Sequence, residues 1–129
     1  MMNFILEEEN DALKPEHWIV CHLLNNALKY NIISAVENLN KGIGSGYDYV
    51  GCYFWNNLDE YDKSHIAKFD GLLVYYMEFV EEDVELIISL EEFDYYLELL
   101  YTRLVNMQFD NLPRLRQLLD EFRTLNNIK

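Results

Sequence analysis

The chain has little of what chemistry or nucleic-acid binding usually requires. Two cysteines, three histidines and ten lysines and arginines are spread over 129 residues. Cys21 and Cys52 have no close spacing, so a reduced, cytoplasmic protein is the simplest reading. Neither lies in a nucleophile motif, and an acidic neighbourhood raises a thiol pKa rather than lowering it. His17, Cys21 and His22 fall on one expected helix, with His17 and Cys21 at i, i+4. A metal there would need further ligands from His65, Cys52 or a carboxylate, so ordinary helix packing is expected, with no metal or cofactor. The glycines of Gly42-Ile43-Gly44-Ser45-Gly46 precede no Lys-Ser/Thr pair and follow a helix, which reads as a flexible loop and not a phosphate cradle. No apolar run approaches the roughly 18 residues that span a bilayer. The start Met1-Met2-Asn3-Phe4-Ile5-Leu6 turns acidic at Glu7, so no secretory signal is expected. The shortage of basic residues excludes a polyanion as direct partner. Carboxylate pairs exist at many separations on any acidic surface, so glycoside chemistry has no specific support. The chain is expected not to be an enzyme.

What the sequence does have is acid. The formal net charge is −13, and thirteen acids fall between Asn57 and Glu98 against only Lys63 and Lys68. Like charge on this scale weakens the compact state, and a basic partner is the natural compensation. Half of the residues are hydrophobic and 15% are aromatic, which suits one folded domain over residues 1–129 rather than an acidic tail. The ten tyrosines can fill space while their hydroxyls reach water or a partner.

The order of elements reads helix, helix, strands, helix, helix. Pro15 opens a helix whose apolar face holds Trp18, Cys21, Leu24 and Leu28. Asn31 caps a second helix that ends before Gly42. Strand alternation follows at Val50–Trp55, Leu72–Phe79 and Asp83–Ile88, the last two joined through Glu81-Glu82 as an antiparallel hairpin. Asn56 to Asp70 is an acidic connection. Ser89-Leu90-Glu91-Glu92 has the pattern of a capping box. Its helix carries Phe93, Leu97, Leu100 and Leu104, and Asn111 and Pro113 start another with Leu115, Leu119 and Phe122. These elements make an α+β fold, a small antiparallel sheet packed with flanking helices. Leu72, Val74, Leu86, Ile88, Phe93, Leu97 and Leu100 are expected to share its core. Arg103, Arg114, Arg116 and Arg123 are expected to pair within the molecule, with the acidic sheet region.

Aromatic residues stand among the carboxylates of that region, which is how recognition surfaces are built. The expected binding residues are Asp59, Glu60, Asp62, Asp70, Glu81, Glu82, Asp83 and Glu85, with Trp55, Tyr61 and Tyr75 as anchors. Such a surface fits a basic protein. A secretion chaperone, which is also small, acidic and α+β, is the alternative reading, and a homodimer is left open.

One stretch also resembles a known family. Lys68-Phe69-Asp70-Gly71, an aromatic-rich strand, Glu81-Glu82-Asp83, then Ile87-Ile88-Ser89-Leu90-Glu91-Glu92-Phe93 leading to Tyr96-Leu97 is similar to the C-terminal half of contact-dependent growth inhibition immunity proteins (CdiI), in the group that neutralises ribonuclease toxins. The resemblance covers roughly residues 18–104. It implies an inhibitor made in the toxin-bearing bacterium that holds a C-terminal nuclease domain inactive.

Overall fold

The computed structural model describes residues 5–77 and 83–128. Five α-helices and four strands occur among them: α1 Trp18–Tyr30, α2 Ile32–Asn40, β1 Ser45–Tyr47, β2 Val50–Tyr53, α3 Glu60–His65, β3 Leu72–Tyr76, β4 Val84–Ile88, α4 Leu90–Asn106 and α5 Leu112–Leu125. The fold is α+β, as the sequence pattern implies. The strands form one antiparallel meander in the order β1-β2-β3-β4. Val74 faces Cys52 on β2 and Leu86 on β4.

The period of two along each strand sorts the side chains onto two faces. Val50, Cys52, Leu72, Val74, Leu86 and Ile88 turn inward to a core shared with α1, α2, α4 and α5. The expected core set belongs to it, with Leu86 at its half-buried margin. The buried face of α1 is wider than a narrow stripe. Ile19, Val20, Leu23 and Ala27 are buried beside Cys21 and Leu24, while Trp18 and Leu28 lie at the edge. A helix wedged between a sheet and other helices must be apolar on more than one side.

Local signals set most boundaries. The Asn31 side chain accepts a hydrogen bond from the Ser34 N–H at 3.1 Å and so caps α2. The Ser89 hydroxyl accepts from the Glu92 N–H at 3.1 Å and caps α4. Glu92 does not complete the reciprocal box with the Ser89 backbone. Its carboxylate takes the Ser89 hydroxyl at 3.3 Å and Lys14 at 3.3 Å, because a nearby ammonium is a stronger partner than a neutral N–H.

Two segments differ from the sequence-based expectation. The glycine-rich stretch is no flexible loop: Ser45, Gly46 and Tyr47 form β1, paired with Cys52, Gly51 and Val50. Asn57 pins its start, accepting from the Gly44 N–H at 3.0 Å and donating to the Gly42 carbonyl at 2.8 Å. A β-carbon on Gly44 would overlap the Cys52 carbonyl, so glycine serves here for close approach. The acidic connection after β2 contains α3, capped by Asp59, whose carboxylate accepts from the Asp62 N–H at 2.8 Å. The β3–β4 turn expected at Glu81-Glu82 lies outside the described residues.

An N-terminal strap completes the helical layer. Leu6 is fully buried, and its N–H and carbonyl bond the Asn25 side chain at 3.0 and 2.8 Å. Arg103 of α4 donates to both carboxylate oxygens of Asp11 and to the Ile5 carbonyl. This guanidinium holds the Asp11 carboxyl below its ordinary pKa. An acid depressed by folding stabilises the native state fully above its unfolded value, about 3.9, and that contribution disappears as pH falls through the folded value. Asp11→Asn should therefore lower stability at neutral pH by about 1–3 kcal/mol. It should also flatten the acid limb of a stability-against-pH curve below pH of about 4. Parallel acid limbs in parent and variant would contradict this role of Asp11.

Candidate functional site: an acidic, aromatic sheet face

The outer face of the sheet carries what the core does not use. Two cross-strand rows form it: Gly46, Gly51, Tyr75 and Glu85, then Tyr53, Leu73 and Ile87. Leu73 and Phe69 are buried but stand apart from the main core. They seat a small aromatic cluster, in which Phe69 packs edge-on to Trp55 at 5.6 Å and tilted to Tyr53 at 6.1 Å. Tyr53 in turn meets Tyr75 at 6.0 Å.

Tyr75 owes its position to two residues without side chains. Its hydroxyl lies over Gly51, where a β-carbon would overlap it, and 3.2 Å from where one on Gly46 would sit. The ring therefore lies along the sheet, away from its cross-strand neighbour Glu85. Burial pushes the Tyr75 and Tyr53 phenols up, and Glu85 and Asp62 add to the effect on Tyr53. Both phenols thus remain neutral hydrogen-bonding groups, Tyr53 with Glu85 and Asp62 near it.

The expected binding residues are distributed unevenly. Asp62, Tyr75 and Glu85 gather around Tyr53, with Trp55 joined to it through Phe69. Trp55 is half-buried by that packing. Asp59 and Glu60 are exposed at the start of α3. Tyr61 is 69% exposed and stacks on His65 at 4.2 Å. Asp70 and Asp83 are exposed at opposite ends of the β3–β4 ladder. Glu81 and Glu82 lie outside the described residues. Tyr53, Ile87 and the two supporting glycines were missed by sequence reasoning. The signal was available, since Gly51 and Tyr53 alternate with the inward Val50 and Cys52.

Ion pairing separates the acids of the two sides. On α4, Glu92 pairs with Lys14, Asp94 with Arg123 at 3.1 Å, and Glu98 with Arg116 at 2.6 Å. Arg103 pairs with Asp11 and Arg114 with Glu37. The arginines do pair within the molecule, but helix to helix or to the strap and not with the sheet region as expected. Short distances on the helical side and the sheet between explain the difference. Among the described residues, Asp59, Glu60, Asp62, Asp70, Asp83 and Glu85 have no lysine or arginine within salt-bridge distance.

The residues weighed for metal or nucleophile chemistry are engaged elsewhere. His17 is buried with Nδ1 at 2.6 Å from the Tyr96 hydroxyl. His22 Nδ1 meets Glu8 at 2.6 Å. Burial, then Asp11 and Glu8, push the Cys21 thiol up to about 12, so it is protonated at neutral pH. No three potential ligands among the described residues are placed to hold a metal ion.

These features define an α+β protein whose meander is apolar toward its helices and acidic and aromatic on the other side. A family model described as CDI immunity protein matches residues 15–118, and the chain belongs to that family. Its function is accordingly immunity to a toxin, exercised through binding the cognate toxin. No curated protein and no solved structure matches the chain. No helix among the described residues is long and apolar enough to cross a membrane.

Proposed function

We propose that this immunity protein binds a basic ribonuclease toxin domain and lays its outer sheet face over the RNA-binding or active site. The observation that carries the reading is that Asp62 and Glu85, neither of them paired with a lysine or arginine among the described residues, lie close to Tyr53, which packs on Tyr75. A ribonuclease holds phosphates with lysines and arginines, and Glu85 on the sheet together with the carboxylates of α3 would compete for the same groups. Complementary charge accelerates encounter, while desolvated contacts at the tyrosines slow release. The inhibitor acts in the cytoplasm by occlusion, without catalysis or a cofactor.

The test uses the toxin domain encoded beside this chain, assayed for RNA cleavage with increasing inhibitor. Tyr75→Ala, and Gly51→Val, whose side chain would displace the Tyr75 ring, should each weaken binding by about 2 kcal/mol, roughly 30-fold. Circular dichroism would confirm that the variants fold. A toxin domain that leaves RNA intact would overturn the ribonuclease assignment. Unchanged inhibition by both folded variants would remove the sheet face from the interface.

A further inference from the structure

β4 is the last strand of the sheet, and its outer edge is open. The order β1-β2-β3-β4 leaves it a single strand neighbour among the described residues. No helix among them runs along the other side. The register tells which of its backbone groups are engaged. The Met77 N–H donates to the Tyr49 carbonyl at 2.7 Å, so the backbone of Met77 points at β2. Successive residues of an antiparallel strand alternate between their two neighbours. Tyr75 and Leu73 therefore bond toward β2, and Tyr76, Val74 and Leu72 toward β4. Their partners on β4 are Val84, Leu86 and Ile88. The N–H and carbonyl groups of Glu85 and Ile87 point away from the sheet. Natural edges are blunted by proline, lysine, a bulge or a covering element. Here the pairing runs without a bulge from Leu72 and Ile88 to Tyr76 and Val84, and β4 holds neither proline nor lysine. Ile87 is 54% exposed. Only the charge of Asp83 and Glu85 restricts what can approach.

We propose that the open edge of β4 receives an extended segment of the bound toxin as a fifth strand of the sheet. The free N–H and carbonyl groups of Glu85 and Ile87 bond any backbone, and the side chains choose among segments. A strand added beyond β4 lengthens both outer rows. It places one side chain beside Glu85 and another, two residues away, beside Ile87. The segment that fits thus carries a lysine or arginine for Glu85 and an apolar residue for Ile87, with Asp83 reinforcing the choice of charge. A second copy of this chain is a poor occupant. Its own edge would bring Asp83 and Glu85 against the same two carboxylates, between molecules that each have a net charge of −13. The edge is continuous with the sheet face, since Tyr75 lies opposite Glu85 and Leu73 opposite Ile87. A basic domain laid on that face has the edge within reach.

The inference rests on the toxin-binding reading, and the experiment separates the two. Amide exchange of the isotope-labelled full chain is followed by NMR, free and bound to the toxin domain encoded beside it. In the free chain the amides of Glu85 and Ile87 should exchange fast, and those of Leu86 and Ile88 slowly. Binding should slow Glu85 and Ile87 by roughly 100-fold or more, with backbone contacts to the toxin marking the new strand pair. Ile87→Pro removes one outward N–H and no ladder bond, the place where edge strands tolerate proline. Ile87→Ala removes the side chain alone. The proline variant should bind roughly tenfold more weakly than the alanine variant. If circular dichroism shows that Ile87→Pro does not fold, exchange in the parent complex decides. Glu85 and Ile87 amides that exchange as fast in the complex as in the free chain would overturn the proposal, even where Tyr75→Ala weakens binding and the sheet face stands. Equal binding by the two folded Ile87 variants would do the same. Slow exchange at both amides in the free chain would show an edge already covered, by a second copy if it grows with concentration, and would also overturn it. Protection on binding, with Tyr75→Ala inhibiting like the parent, keeps the edge and removes the face. A toxin domain that does not bind the parent chain overturns both.

Discussion

Leu97→Ala should lower the free energy of unfolding by about 2–5 kcal/mol, the cost of the lost methylenes plus the cavity they leave. Leu97 is 1% exposed and lies midway along α4, where the core takes Leu72, Val74 and Ile88 from the sheet and Leu115, Leu119 and Phe122 from α5. Little around it can collapse to fill the space, because α4 is packed against both α5 and α1 within one contiguous core. Denaturant titration measures the effect as a lower midpoint at constant slope. A variant as stable as the parent would mean that the α4 face is wrongly assigned. The same experiment gives a reference for binding work, since an unstable inhibitor protects poorly for reasons unrelated to its surface.

The second large effect concerns rate. A fourfold variant, Asp59→Asn, Glu60→Gln, Asp62→Asn and Glu85→Gln, should slow association with the toxin domain by roughly 10- to 1000-fold at low salt. The rate should also lose most of its salt dependence, since it is the field of these carboxylates that salt screens. Asparagine at position 59 still caps α3, so the fold should be retained. The control is Glu37→Gln with Asp120→Asn, two acids already paired with Arg114 and Arg116 on the helical side. That pair should associate at nearly the parent rate. Fourfold and control variants that slow equally would reduce the sheet acids to a contribution to net charge.

The helices were largely legible because their signals are local. Asn31 and Ser89 cap α2 and α4, and the stripes Phe93-Leu97-Leu100-Leu104 and Leu115-Leu119-Phe122 are buried. β1 and α3 were not legible. Ser45-Gly46-Tyr47 is short and holds one strong strand former, Tyr47, and its pairing depends on β2 and on the distant Asn57 side chain. α3 has only six residues, too few for a periodic apolar face. The candidate site was partly legible for the same reason. Asp62, Tyr75 and Glu85 stand out in the sequence as acid among aromatics, whereas the small outer cluster under Tyr53 requires the register of three strands.

The sequence by itself determined the class of the protein. Acid excess, aromatic content and the alternation of helical and strand periods define an acidic α+β binder, and the order of its motifs places it near its family. Only the tertiary structure decided which acids remain available to a partner. Ion pairing depends on distances of a few ångströms between segments far apart in the chain, such as Glu98 with Arg116 and Asp11 with Arg103. Composition counts those carboxylates equally with Asp62 and Glu85. The fold neutralises the first group on the helical side and leaves Glu85 on the outer face of the sheet, and Asp62 on α3, without a lysine or arginine in salt-bridge distance among the described residues.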